Sequence, residues 1–191
     1  MVNVIQTTYL PTLEQARAVA KSVFQSLSPE TRAIRLRLCR LVDQAVCACR
    51  GQEDLDVLRA AAYLQETGVV YSSRSKPIYS LQMVTAFFAD DGDLDPRLLD
   101  CIRNHEMDGH PRTEEGVLMR ICHKYAATHY LDYMLYKHQM APERFERLQL
   151  ERIEDYRRQF LEHPRGKDIE RALQDLFLRP SDVSALIGRF A

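Results

Sequence analysis

Ala60-Ala61-Ala62-Tyr63-Leu64-Gln65-Glu66-Thr67-Gly68 is the stretch on which the reading of the fold turns. It predicts the end of a helix that runs from about Asp54 to Glu66 and is closed by Gly68. Upstream, Ile34, Leu38, Leu41, Val42, Ala45 and Cys49 recur at the i, i+3, i+4, i+7 spacing of one buried helical face. That helix opens at Ser28-Pro29, an N-cap followed by proline in the first turn, and Gly51 stops it. Thr12-Leu13-Glu14-Gln15 has the form of a capping box and opens an earlier helix to about Leu27, after a lead-in over residues 1–10.

Downstream, Ser72, Ser73, Ser75 and Pro77 make residues 69–77 read as a loop, and helical signal resumes from Tyr79 to Ala89. Asp95-Pro96 starts the next helix, to about Glu106, and Asp108-Gly109-His110-Pro111 breaks it. Thr113-Glu114-Glu115 opens a helix through Tyr136. Pro142 starts a charged helix to about Glu162, supported by the i, i+4 pairs Glu143/Arg147 and Glu154/Arg158. Pro164-Arg165-Gly166 breaks it, and two short helices follow, around Ile169–Leu178 and Asp182–Arg189. No alternating strand pattern of useful length appears, so the expected class is all-α, with about eight or nine helices. A boundary at residues 139–142 divides a core, residues 1–140, from a helical C-terminal extension, residues 141–191, packed on it.

The chain of 191 residues carries a net charge of −1, with 46% hydrophobic and 28% charged residues. That is ordinary for a soluble domain and provides no global attraction to DNA or to an anionic membrane. The apolar runs are too short to span a bilayer and the N-terminus lacks a signal pattern, which points to a cytoplasmic protein. Five cysteines, Cys39, Cys47, Cys49, Cys101 and Cys122, lack the spacing of a zinc knuckle and are expected to be reduced core residues.

Three of the six histidines, His105, His110 and His123, fall within one short region beside Glu106 and Asp108. Imidazole and carboxylate donors in one region are a modest metal signal. The helix break between His105 and His110 prevents them from sharing a helical face, though a turn can bring them together. The plainer reading is that His105 ends a helix, where a cation favours the dipole, and that Asp108-Gly109 forms a turn. Glu66 is either a general base, with His105 or His123 as acid, or a satisfied polar group at a helix end. His123 lies in a mostly apolar helix, as a hydrogen-bonded core histidine would. His129, His138 and His163 read as surface or packing residues. Tyr125, Tyr130, Tyr133 and Tyr136 recur at near-helical spacing and suit core or dimer packing. Arg32, Arg35, Arg37 and Arg40 crowd one helix, either as a solvated basic face or as guanidinium groups suited to a phosphate.

Two segments, Ala60–Gly68 and Ile102-Arg103-Asn104-His105-Glu106-Met107-Asp108-Gly109-His110-Pro111, together resemble the core of the HD superfamily, and more closely its HD-GYP branch. In those families the first segment reads Leu-Leu-His-Asp-Ile-Gly and its His-Asp pair holds metal; here the pair is Gln65-Glu66. The second carries His-His-Glu, Asp-Gly and Gly-Tyr-Pro, against Asn104-His105-Glu106, Asp108-Gly109 and His110-Pro111 here. Lys76-Pro77 and Leu81 also fit the family pattern. The downstream Ala-Asp becomes Cys122-His123, which puts His123 at a ligand position, and the upstream metal histidine falls among Arg35, Leu36, Arg37 and Leu38, which implies that Arg37 could fill the space of the lost cation and hold a phosphate or pair with Glu66. The resemblance covers roughly residues 30–135 and implies an HD-domain-like bundle whose ligand set is largely replaced.

The resemblance therefore implies a catalytically impaired HD/HD-GYP-like protein, a regulatory, ligand-binding or scaffold module. Its expected ligand is a nucleotide or cyclic dinucleotide, with Arg37, Gln65, Asp108, His110 and Lys124 as candidate binding residues. A second copy or a signalling protein is the expected partner; a separate reading is a purely structural helical module that dimerises through its C-terminal helices and has no ligand. The alternative is a metal-dependent phosphohydrolase with a rearranged site, in which Glu66, His105, His110 and His123 hold manganese, iron or magnesium and Glu66 or His105 takes part in catalysis. On the first reading no cofactor is needed. No Gly-rich phosphate loop, zincin motif or nucleophile elbow suggests another chemistry.

Overall fold

A computed structural model describes residues 8–106, 109–130 and 163–177. Seven α-helices lie within them: α1 (Leu13–Val23), α2 (Pro29–Cys49), α3 (Leu55–Leu64), α4 (Lys76–Phe87), α5 (Pro96–Asn104), α6 (Glu114–His129) and α7 (Gly166–Phe177). Short 3-10 turns cover Phe24–Ser26 and Thr67–Val70. There is no strand among the described residues, only an isolated parallel bridge between Tyr9 and Leu94. The chain is all-α, and no helix among the described residues is long and apolar enough to cross a membrane.

The helix starts follow local chemistry. Thr12 and Gln15 form a reciprocal capping box, with the Gln15 amide donating to Thr12 Oγ1 (3.2 Å) and the Thr12 amide to Gln15 Oε1 (2.8 Å). Ser28 and Asp95 cap α2 and α5, each followed by a proline in the first turn. The start of α4 differs from expectation. Pro77 lies inside the first turn of α4, where its missing N–H costs nothing, so the helix begins at Lys76 rather than Tyr79. The preceding loop is also partly ordered as the 3-10 turn at Thr67–Val70. α7 begins at Gly166 and not at Ile169. The helices expected over 142–162 and 182–189, the continuation of α6 to Tyr136, and Tyr133 and His138 lie outside the described residues.

The long α2 is the axis of the bundle. It packs on α3 and α6, and α7 lies across its C-terminal part, where Cys49 Sγ meets the Ile169 carbonyl (3.8 Å). Leu38, Val42, Leu58, Leu64, Ile102 and Leu118 are fully buried between these helices. Residues 163–177 are tied on by Arg165, which donates to Glu53 Oε1 (2.7 Å) and to the Cys49 carbonyl, while Ile169 and Leu173 enter the core. All five cysteines are free thiols, buried except Cys47.

Two backbone features set the positions of the polar groups described below. Asp100 accepts from the amides of Arg112 and Thr113 (2.9 Å each) and from the Thr113 hydroxyl (2.7 Å), which pins the turn between α5 and α6. At the other end, Gly68 lies directly against the backbone of α4. A Cβ there would run into the Lys76 carbonyl and the Ser80 amide, and Ser80 Oγ accepts from the Gly68 amide (2.8 Å) and donates to the Gln65 carbonyl (2.7 Å). Backbone cannot yield as a side-chain tip can. Gly68→Ala is therefore expected to destabilise the fold by about 2 kcal/mol or more, read as a lowered urea midpoint. A midpoint equal to that of the parent chain would show that α4 is free to move away.

Candidate functional site

Glu66 follows α3 and is fully buried. A bare carboxylate at such a depth is strongly disfavoured, so its partners decide its state. Arg35, from α2, donates to Oε2 (2.7 Å), and Lys76, from the first turn of α4, donates to Oε1. Burial pushes the Glu66 carboxyl upward, but Lys76 and then Arg35 outweigh it and hold the group well below the usual carboxylate range.

Lys76 is itself 2% exposed and also reaches Glu106 Oε1 at 2.7 Å. Its ammonium thus bridges two carboxylates, one after α3 and one just beyond α5. Lys124, from α6, reaches the other oxygen of Glu106 (3.2 Å). Burial likewise raises Glu106, and Lys76 leads the charges that bring it well below its ordinary value.

His105 and His123 close the cluster. Their rings meet edge-on, with centroids 4.7 Å apart and planes at 78°. His105 Nδ1 is 2.8 Å from the Ile102 carbonyl, which leaves Nε2 directed at the cluster, 3.7 Å from Glu106 Oε1. His123 Nδ1 is 3.9 Å from Glu66 Oε1. Neither His105 Nε2 nor His123 Nδ1 has a hydrogen-bond partner. Burial, reinforced by Lys76, lowers His105 to about 4 and holds His123 well below 6.5, so both rings are neutral at pH 7.

One carboxylate oxygen of Glu66 and one ring nitrogen each of His105 and His123 lie within 4.8 Å of one another. As donors these three suit a transition metal. The charge does not. Among the described residues, Lys76 and Arg35 already hold both oxygens of Glu66, with both imidazoles neutral. A divalent ion there would lie against the Lys76 ammonium in a buried space, and the Glu66 oxygen nearest His123 is the one that Lys76 holds. The residues as arranged do not fit a metal while Lys76 keeps its proton and its place.

Of the residues singled out from the sequence, Glu66, His105, His123 and Lys124 meet in this cluster. Gln65 is buried beside it, with Nε2 3.4 Å from the Ala62 carbonyl and Oε1 without a hydrogen-bond partner. Arg37 is not in the cluster: it is exposed, and Arg35 takes the place expected for it beside Glu66. His110 is exposed, its amide donating to Asn104 Oδ1 (3.3 Å), and it contributes nothing to the cluster. Asp108 lies outside the described residues. His123 is in the core as expected, but Nδ1 is not hydrogen-bonded. His105 does end a helix, yet burial makes it neutral where a dipole-stabilised cation was expected. His129 packs as anticipated, stacked on Tyr125 at 4.0 Å.

Arg35 and Lys76 are the partners that sequence reasoning missed. The signal for Arg35 was its phase: it shares the i, i+3, i+4, i+7 face with Leu38, Cys39 and Val42, all fully buried, whereas Arg37 falls outside it. None of the known family models, curated proteins or solved structures compared with this chain matches it.

Proposed function

We propose that this chain is a degenerate HD-type helical domain that acts by binding, with the Lys76 ammonium in the place of a catalytic metal. The observation that carries the reading is the bridge from Lys76 to both Glu66 and Glu106, completed by Arg35. Metal-dependent phosphoester hydrolysis needs a cation with an open position that can hold water and lower its pKa. An ammonium has a single charge and no such position. Its protons here are directed at two carboxylates, which makes the cluster a structural clasp joining α2, α3, α4 and the end of α5.

The clasp is closed to ligands, since Glu66, His105 and His123 are 0–1% exposed. Binding would therefore use the surface. A groove of about 450 Å³ beside α1 and α2 is lined by Arg17, Lys21, Arg40, Asp43 and Tyr63; Arg17 pairs with Asp43 and covers the Tyr63 ring, which leaves Lys21 and Arg40 to meet an anionic nucleotide.

A second reading is an active phosphohydrolase with a rearranged metal site. The unpartnered nitrogens of His105 and His123, aimed at the same space as Glu66, favour it. Incubation with manganese or ferrous iron and a chromogenic phosphodiester, cyclic dinucleotides or nucleoside triphosphates separates the two. No turnover above that of metal alone is expected. Turnover that disappears in both Glu66→Ala and His123→Ala would establish the second reading instead.

A further inference from the structure

Helix α4 is uncharged beyond its first residue, and only one of its faces is buried. Ser80 and Val84 face the core, while Ile78 is 58% and Tyr79 36% exposed, and Gln82, Thr85 and Ala86 are exposed beside them. At 100° per residue these five positions form one outward stripe centred on Gln82. Tyr71, 68% exposed, meets Tyr79 at a tilt, with ring centroids 5.6 Å apart, and extends the stripe beyond the N-terminus of the helix. From Pro77 to Ala89 there is no charged residue, a composition suited to a covered helix and not to a solvated one. The charges are at the ends, with exposed Arg74 before the helix and exposed Asp90 and Asp91 after it.

We infer that the outward stripe of α4 pairs with the same stripe of a second copy of this chain, antiparallel, about a two-fold axis at Gln82. A two-fold contact must be complementary to itself, and this stripe meets that condition in both shape and charge. With Gln82 opposite Gln82, the large Ile78 and Tyr79 of one copy face the small Ala86 and Thr85 of the other. Large-against-small packing lets two helices approach at about 8–10 Å. The same antiparallel arrangement sets the end of α4 that Arg74 precedes beside the end of the other copy's helix that Asp90 and Asp91 follow, twice over, and the two central amides can bond to each other. A parallel pairing would instead set Arg74 against Arg74 and Ile78 against Ile78. The interface is separate from the groove beside α1 and α2 and from the buried clasp.

Light scattering on the full chain of 191 residues, coupled to size exclusion and followed by sedimentation over a dilution series, tests the pairing. A dimer of twice 22.2 kDa is expected. Ala86→Arg should weaken it about 100-fold or more, by filling the recess that receives Ile78. Arg74→Asp alone and Asp90→Arg alone should each weaken it about 10-fold, and the double swap should return to within about 3-fold of the parent. Each position is exposed, so unchanged far-ultraviolet circular dichroism will show that the variants are folded. A monomer at ~100 μM, a dimer indifferent to Ala86→Arg, or a double swap no better than the singles would each overturn the inference. A monomer whose Tyr71 and Tyr79 are protected from solvent would show that this chain covers the stripe itself.

Discussion

Lys76→Met is expected to destabilise the fold by about 3 kcal/mol, the low end of the cost of breaking a buried charge pair. The methionine fills much of the same space, so the loss reports charge more than volume. Removing the ammonium leaves Glu66 with Arg35 alone and Glu106 with Lys124, and both carboxylates lose their shared neighbour in a buried setting. If the clasp acts as a unit, neutralising a carboxylate should offset part of that loss. The double variant Lys76→Met/Glu66→Gln is then expected to be more stable than the sum of the two single losses, by at least ~1 kcal/mol. Urea unfolding with unchanged slopes measures both quantities. Additive losses, or a Lys76→Met chain as stable as the parent, would mean that the bridge does not hold the helices together.

Stability is also expected to fall as the pH drops below about 6.5, the range in which exposed imidazoles take up protons. The sign follows from the two histidines. Both have folded values lowered from 6.5, His105 to about 4 and His123 in the same direction, because burial first and Lys76 second oppose their charging. The unfolded chain therefore binds more protons below 6.5 than the folded one. The stability contributed by keeping the rings neutral is complete above 6.5 and is lost as the pH falls toward about 4, amounting to about 3 kcal/mol for His105 alone. Glu66 and Glu106, lowered from 4.5 by Lys76 and its fellow cations, hold their contribution above 4.5 and lose it below. The decline should thus begin well above the carboxylate range and continue through it. His105→Gln is expected to flatten the curve between pH 6.5 and 4 by about one proton. A parent chain equally stable at pH 7 and pH 5 would contradict the buried neutral state of both rings.

The parts of the fold that depend on neighbours in sequence were legible. The capping box at Thr12 and Gln15, the Ser28-Pro29 and Asp95-Pro96 starts and the buried face of α2 all rest on contacts within a turn or two. The site was legible only in part, because its decisive contacts cross the chain. Glu66, His105 and His123 stand out by residue type, but their relation depends on how the turn held by Asp100 brings α6 back against α5. Lys76 reads as a loop residue beside a proline and a run of serines, and only packing shows that Pro77 sits in a helical first turn and turns the lysine inward. Arg37 and Arg35 differ by two positions on one helix, about 200° around its axis, which is enough to exchange solvent for the core. The exposed stripe of α4 follows the same logic: the sequence shows a helix without charge from Pro77 onward, and only packing shows which side of it is left exposed.

The question of metal or ammonium is settled most directly by titrating the purified, chelator-stripped full chain with manganese, ferrous iron and zinc at pH 7, reading bound metal per chain by elemental analysis after desalting. Fewer than ~0.1 equivalents are expected for each, because Lys76 and Arg35 already hold both oxygens of Glu66. One equivalent of bound metal, retained through desalting and lost in both Glu66→Ala and His123→Ala, would contradict the clasp and place a metal centre where the lysine stands.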